Sequence, residues 1–252
     1  MMALEKIAKY WSTQADGYSE INQEELEKEQ RAVWLKLIED NILKGSCLKV
    51  LDIGCGPGFF SILMAENGHR VTSIDFSEKM LENAKKNTKK YEVEDRIDFL
   101  KMDAQSLTFE NESFDLILSR NITWTLENPN QAYKEWLRVL KPGGCFMNFD
   151  GNWRMNLYDK NLARLCEEDK KKLVKMGYEV KDDGHGKEQA GDSLNNLPLS
   201  NILRPLWDVE TLIELGCTNI KILTKLPHNI MNEYYSILYT HMPMFMVRAQ
   251  KG

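Results

Sequence analysis

Three glycines alternate directly after an acidic residue in the segment Asp52-x-Gly54-x-Gly56-x-Gly58. The segment separates an apolar run from a second one that begins at Phe59, which is typical of a turn between a strand and a helix. Glycine permits positive φ and lets the backbone approach a ligand closely. One glycine suffices for a structural turn, so this pattern predicts a ligand-binding loop at the carboxyl edge of a sheet.

The loop differs from two familiar phosphate-binding motifs. A dinucleotide fingerprint needs Gly-x-Gly-x-x-Gly/Ala, and its third position is occupied here by Phe59. Asp52 beside the loop also disfavours a pyrophosphate. A P-loop needs Gly-Lys-Ser/Thr, which does not follow. A nucleotide-dependent oxidoreductase therefore stays open only as an alternative.

Strand and helix patterns alternate from residue 48 to 150, which predicts an α/β fold with a mainly parallel sheet and helices on both faces. Before this region, the spacing predicts a short helix over 3–10 and a longer one over 24–42. The alternation lapses in a polar stretch and then resumes towards the C-terminus. We expect an N-terminal helical cap segment (1–45), an α/β core (46–150), a cap insertion (151–205) and a C-terminal completion of the core (206–252).

Several of these features together resemble class I S-adenosylmethionine (SAM)-dependent methyltransferases, in particular the small-molecule, type 11-like branch. The resemblance covers about residues 48–150 and rests on motifs in the family's order. They are the glycine loop, Asp75 at the end of the second strand, Met102-Asp103-Ala104 after the third, Phe114–Ser119 as the fourth, and the turn Leu140-Lys141-Pro142-Gly143-Gly144. Near the N-terminus, Tyr10-Trp11-x₃-Ala15-x-x-Tyr18 looks like the aromatic segment of the same branch.

The resemblance implies a Rossmann-like, doubly wound sheet of seven strands, a helical cap, SAM as cofactor and methyl transfer by in-line displacement. It places Asp75 on the ribose hydroxyls, Asp103 at the adenine amino group and Asp52 near the amino-acid end. The cofactor-binding residues that it implies are Trp11, Tyr18, Asp52, Gly54, Cys55, Gly56, Gly58, Asp75, Phe76, Met80, Asp103, Ala104, Ser119 and Arg120.

The acceptor is expected to be a small molecule. Methyltransferases that act on exocyclic nitrogens of nucleic acid or on glutamine often carry Asn/Asp-Pro-Pro-aromatic after the fourth strand, and this chain has Ser119-Arg120-Asn121-Ile122 there. We place Asn121, Trp124 and Trp153 in the substrate pocket, although Trp124 suits a packed core equally well. Other aromatic residues of the cap segments suit a small, partly apolar acceptor or the cap's own core: Tyr158, Tyr234, Tyr235 and Tyr239.

No catalytic residue can be assigned from the sequence. A general base could come from His69, His185, His228 or His241, but a surface position is the commoner one for each, and His69 is expected to be solvated in a turn. Binding of SAM and transfer of its methyl group use different residues. A catalytically silent SAM-binding protein therefore also remains open.

Composition excludes several classes of partner. With 33 basic and 38 acidic residues the net charge is −5, which disfavours nucleic acid. No apolar run approaches the ~20 residues of a membrane span, and the cluster Asp182, Asp183, His185 and Glu188 matches no standard metal site. Five dispersed cysteines and no secretion signal indicate free thiols in the cytoplasm. The oligomeric state stays open.

Overall fold

The computed structural model describes residues 3–42, 47–180, 194 and 196–252, and a seven-stranded sheet forms its centre. The strands are β1 (Lys49–Ile53), β2 (Arg70–Asp75), β3 (Ile97–Lys101), β4 (Phe114–Arg120), β5 (Leu140–Asp150), β6 (Cys217–Leu223) and β7 (Phe245–Lys251). Their order across the sheet is β3-β2-β1-β4-β5-β7-β6. The first five strands pair in parallel, and β7 pairs antiparallel with β5 and β6. The predicted fold class is confirmed.

Helices cover both faces of this sheet. They are α1 (Ala3–Glu27), α2 (Gln30–Glu39), α3 (Phe59–Glu66), α4 (Glu78–Lys90), α5 (Pro129–Val139), α6 (Lys160–Lys175), α7 (Leu206–Glu214) and α8 (Glu233–Leu238), with single 3₁₀ turns at Glu94–Arg96, Thr123–Thr125 and Met155–Leu157.

The side-chain alternation of β5 divides the apolar core between the two faces. Met147 and Phe149 belong to the cluster that includes Trp34 of α2, and Phe146 belongs to the cluster that includes Trp136 of α5. Successive strand residues point to opposite faces, so one strand serves both clusters. The two apolar clusters hold the carboxyl ends of the central strands between them.

The N-terminal helices differ from the prediction. The structure has one 25-residue helix, α1, where a short helix over 3–10 was expected, and the helix expected over 24–42 is broken between Glu27 and Gln30. Hydrogen bonds to α4 extend α1 along it: Asn83 Nδ2 donates to Asp16 Oδ1 at 2.9 Å, and Asn87 Nδ2 donates to Ser19 Oγ at 3.1 Å. The break turns the apolar face of α2, with Trp34 at its centre, onto α3.

The expectation that His69 is solvated is wrong. Its side chain is buried, and its Nδ1 accepts a hydrogen bond of 3.1 Å from the Leu48 backbone N–H, which ties the turn before β2 to the start of β1. Burial lowers the pKa of His69 below its ordinary value. The acidic cluster at 182–188, including His185, lies outside the described residues.

Candidate active site

A cleft opens at the carboxyl edge of the parallel strands, and we call it the loop cleft because the glycine loop forms its floor. Helix α1 closes one side, and the ends of β2, β3 and β4 supply the rest. This edge is where open α/β sheets bind ligands. Of the residues singled out from the sequence, those that line the loop cleft are Trp11, Tyr18, Asp52, Gly54, Cys55, Gly56, Asp75, Phe76, Met80, Asp103, Ala104, Arg120 and Asn121.

Each glycine of the loop has positive φ, and each meets different surroundings. A Cβ on Gly54 (φ +65°) would lie 2.5 Å from Ile122 Cδ1, and a Cβ on Gly58 (φ +93°) would lie 3.3 Å from Ala84 Cβ. The nearest atom to a Cβ on Gly56 (φ +52°) is Met80 Sδ at 4.0 Å. Gly54 and Gly58 are therefore required by protein packing, whereas a side chain at Gly56 would project into open space in the cleft.

Asp75 fastens the loop to the end of β2. Its Oδ2 accepts the Gly56 backbone N–H at 3.0 Å, and its Oδ1 accepts the Ser77 backbone N–H at 2.8 Å. An ionised carboxylate has about four acceptor positions, so Asp75 keeps acceptor capacity for a ligand in the cleft. Burial raises the pKa of Asp75 from 3.8 to about 6, against the lowering effect of the backbone donors.

Asp52 lies deeper, at the back of the loop. It accepts a 2.6 Å hydrogen bond from the Ser61 hydroxyl, which in turn accepts one of 2.8 Å from Ser73. Its side chain is buried, and this burial raises the pKa of Asp52 from 3.8 to about 7. A cationic group arriving in the cleft would favour the ionised form of this acid.

Asp103 orders the turn after β3. Its Oδ1 accepts the Gln105 backbone N–H at 2.9 Å and the Gln105 side-chain amide at 3.1 Å. The Gln105 Oε1 then accepts the Asn128 backbone N–H at 2.6 Å, which links this turn to the start of α5. The second carboxylate oxygen of Asp103 is not used in this network.

Arg120 joins the end of β4 to α1. Its guanidinium donates to Glu25 Oε2 at 2.9 Å and lies 4.5 Å from the centre of the Phe59 ring. Both partners of this ion pair are largely buried, and burial raises the pKa of Glu25. Glu25 was not identified from the sequence. It lies 95 residues from Arg120, and no local pattern marks it.

A second cavity, of about 520 Å³, adjoins the loop cleft. We call it the tyrosine cavity, because its aromatic lining consists of Tyr18, Trp34, Trp153, Tyr178, Tyr234, Tyr235 and Tyr239. Tyr18, Asn22, Arg120 and Asn121 line both spaces and form the junction between them. Trp153 was placed in the substrate pocket from the sequence, and it lines the tyrosine cavity.

Two amides at the junction carry buried polar atoms without a hydrogen-bond partner among the described residues. They are the Nδ2 of Asn22 and the Oδ1 of Asn121. Asn121 also has φ +59°, an uncommon conformation for a residue other than glycine. One unused donor and one unused acceptor therefore lie buried within two residues that line both spaces. Asn22 was missed in the sequence, where nothing distinguishes it from other helix-surface amides.

Three of the predicted site residues line neither space. Gly58 begins α3 behind the loop. Ser119 is fully buried and donates to Asn148 Oδ1 at 2.9 Å. Trp124 is buried with its ring 5.3 Å from the Arg154 guanidinium and 6.1 Å from the Trp11 ring.

Comparison with known proteins identifies the domain that holds the loop cleft. Residues 51–148 match the family described as "Methyltransferase domain". The demethylmenaquinone methyltransferase of Leptospira interrogans is 36% identical over 148 residues, covering 58% of this chain and 57% of that protein. The ubiquinone biosynthesis O-methyltransferase of Coxiella burnetii is 33% identical over 129 residues, covering 50% and 53%.

Residues 51–148 are a methyltransferase-family domain. The resemblance to class I SAM-dependent methyltransferases is thereby confirmed. The chain spans little more than half the length of these curated relatives. A solved protein from Methanococcus maripaludis, described as a candidate SAM-dependent methyltransferase, shares the fold with a TM-score of 0.62 and 22% identity, covering 95% of this chain and 93% of that one.

Within the part of the chain that the structure describes, no helix combines the length and the apolar character needed to cross a bilayer. The same described residues contain no group of three or more His, Cys, Asp or Glu side chains arranged to hold a metal ion. All five cysteines are free.

Proposed function

We propose that the methyltransferase domain binds SAM in the loop cleft and transfers its methyl group to a small molecule held in the tyrosine cavity. One observation carries this proposal. The glycine loop, Asp75 and Asp103 line a single cleft, and that cleft meets a second, aromatic cavity at Asn22 and Asn121. A group-transfer enzyme with two substrates needs two such adjoining spaces.

The residues of the loop cleft match the chemistry of SAM. The unused acceptor positions of Asp75 suit the two ribose hydroxyls, and the second oxygen of Asp103 suits the adenine amino group. Backbone N–H groups at the start of α3 suit the carboxylate. Asp52 would lie near the ammonium group, where a positive charge would return its pKa towards the ordinary value. The remaining lining residues would pack around the donor: Trp11, Tyr18, Gly54, Cys55, Phe76, Met80, Ala104 and Arg120.

When bound, SAM supplies an electrophilic methyl group whose leaving group is a neutral thioether. The chain therefore has no need of a general acid. Its main contribution is alignment of the acceptor with the methyl carbon, which is worth up to several kcal/mol. Tyr18, Asn22 and Asn121 at the junction would hold the acceptor in line with the methyl carbon. The aromatic walls would exclude water from the junction.

The remaining organisation follows from the same proposal. Segments 1–45 and 151–205 would act as a cap over a core formed by 46–150 and 206–252. Helix α1 already forms one wall of the loop cleft, and Trp153 lines the tyrosine cavity. Five free cysteines support a cytoplasmic protein, and a net charge of −5 supports a small molecule over nucleic acid as partner.

Calorimetric titration tests the proposal. We expect saturable binding of SAM and of S-adenosylhomocysteine (SAH), no binding of NAD, and release of SAH when an acceptor is added. Binding of NAD without SAM would favour the oxidoreductase alternative. Binding of SAM with no methyl transfer to any acceptor would favour a silent SAM-binding protein, because the loop cleft alone cannot distinguish the two.

A further inference from the structure

We propose that the acceptor is an aliphatic amine, held as an ammonium ion by the tyrosine cavity and methylated on nitrogen. This inference rests on the proposed methyl transfer and names its substrate class. It starts from the walls of the tyrosine cavity. Tyr235 and Tyr239 stack at 6.0 Å, Tyr234 and Tyr235 meet edge to face at 5.1 Å, and Trp153 lies 4.7 Å from Tyr239. Electron-rich ring faces arranged around one space attract cations.

The charges of the cavity wall also favour a cation. Among the described lining residues the acids are Glu20, Glu24, Glu25 and Glu179, and the single cation is Arg120. Glu25 pairs with Arg120, and Glu24 pairs with Lys28. Glu20 and Glu179 have no ion-pair partner among the described residues and lie exposed at the rim. The described part of the wall is therefore negative once its own pairs are taken into account.

Other acceptor classes fit this wall less well. A carboxylate would need an available cation, and Arg120 is already engaged by Glu25 at 2.9 Å. A phenol or alcohol would need a base to remove its proton, and no histidine lines either space within the described residues. The bound ammonium ion first loses one proton to water. The neutral amine that results has the lone pair that attacks the methyl carbon.

The junction between the two spaces supplies the position of the attacking nitrogen. Asn121 Oδ1 is a buried acceptor without a partner, and Asn22 is an almost fully buried side chain whose Nδ2 also lacks one. A remaining N–H of a primary or secondary amine would donate to Asn121 Oδ1, which turns the nitrogen lone pair towards the loop cleft. The nitrogen bonds to the methyl carbon while the carbon–sulfur bond breaks. That electron pair stays on sulfur, and the positive charge passes to nitrogen, whose extra proton leaves to water.

The test compares three probes of similar shape on the SAH-loaded full chain: 2-phenylethylamine, 2-phenylethanol and 3-phenylpropionate. Calorimetry should show the amine binding at least about tenfold more tightly than either analogue. With SAM, the amine alone should accelerate SAH release. Equal or tighter binding of the alcohol or the carboxylate would overturn the proposal. Binding of SAM itself is measured separately. Its failure refutes the proposed function, whereas normal SAM binding without preference for the amine refutes only this inference.

Variants at Tyr235 and Asn121 distinguish the contribution of the aromatic rings to binding from that of the junction. Tetramethylammonium has no N–H, so it probes the rings alone. Tyr235→Ala should weaken tetramethylammonium binding about tenfold, and Tyr235→Phe, which keeps the ring, should change it less than about threefold. In Asn121→Gly, glycine adopts the positive φ of this position without strain and lacks the side-chain amide. This variant should leave tetramethylammonium binding unchanged and weaken 2-phenylethylamine binding about fivefold. Unchanged tetramethylammonium binding in Tyr235→Ala would refute the aromatic site.

Discussion

Two pairs of aspartates, one at the glycine loop and one around Arg204, have different surroundings. Asp52 lies in β1, and Asp75 is the last residue of β2. Both accept hydrogen bonds only from hydroxyl and backbone groups in the described structure. Asp150 and Asp208 share the Arg204 guanidinium, which lies 2.5 Å from an oxygen of each. The first pair therefore has no ion-pair partner among the described residues. The second pair shares one cation that the protein itself supplies.

The difference separates binding from support. An acid without a cation pays a desolvation cost that a ligand with positive charge or hydrogen-bond donors relieves. The acids around Arg204 instead hold the frame of the tyrosine cavity, because Asp150 Oδ1 accepts the Trp153 indole N–H at 3.1 Å. Tyr133 donates to Asp208 at 2.6 Å, which ties α5 into the same network. Four experiments test this contrast.

The largest effect is expected at the two aspartates that share Arg204. Arg204→Met leaves two buried carboxylates without their cation, and the free energy of unfolding should fall by about 3–5 kcal/mol. Chemical denaturation measures it. Arg164→Met, which breaks an exposed pair with Glu168, is the matched control and should cost less than about 0.5 kcal/mol. A loss below about 1 kcal/mol in Arg204→Met would show that the network is dispensable.

Gly56→Val should abolish SAM binding, with affinity reduced at least about 100-fold, because the added side chain occupies the open part of the loop cleft. Gly68 provides the control. It also has positive φ (+88°) and open space around a Cβ, but it lies outside the cleft. Both valine variants should lose about 1–2 kcal/mol of stability from backbone strain. If Gly68→Val weakens SAM equally, strain rather than obstruction is responsible.

Asp75→Ala should weaken SAM about 10- to 100-fold through loss of the ribose acceptor. The apo protein should also lose about 1–3 kcal/mol, because the Gly56 and Ser77 N–H groups lose their partner. Asp75→Asn should lie between, and Asp98→Ala, at an exposed position of β3, should change neither quantity. SAM titration is paired with apo denaturation. Full SAM affinity in a destabilised Asp75→Ala protein would make this residue purely structural.

The smallest effect concerns pH. The pKa of Asp52 is raised to about 7 in the folded protein, so the ionised acid costs stability above that pH, and the cost disappears as the pH falls towards 4. Asp52→Asn cannot ionise. Relative to the unmodified protein, it should therefore be more stable at pH 7.5 than at pH 5, by about 1 kcal/mol or more. Denaturation at both pH values measures the difference. A stability difference independent of pH would place the pKa of Asp52 near its ordinary value.

Local patterns predicted the sheet well, because each strand and helix carries its own apolar period. The prediction was wrong at the N-terminus, where hydrogen bonds from Asn83 and Asn87 extend α1 past its local signal. It was also wrong at His69, which is buried by the approach of Leu48. In both cases the decisive partner lies more than 20 residues away. Periodicity over a short window contains no information about such contacts.

The sequence by itself determined the order of strands and helices, the glycine loop and the acids that follow the parallel strands. These features depend on neighbours in the chain, and the parallel sheet then brings the strand ends to one edge. Only the tertiary structure decided which acids form an ion pair with an arginine. Arg204 pairs with Asp150, 54 residues away in sequence, and Arg120 pairs with Glu25, 95 residues away. The tertiary structure alone brought Tyr18, Trp153 and Tyr235 around one cavity. Packing of segments remote in sequence sets the charge and shape of that space, and with them the class of acceptor that it favours.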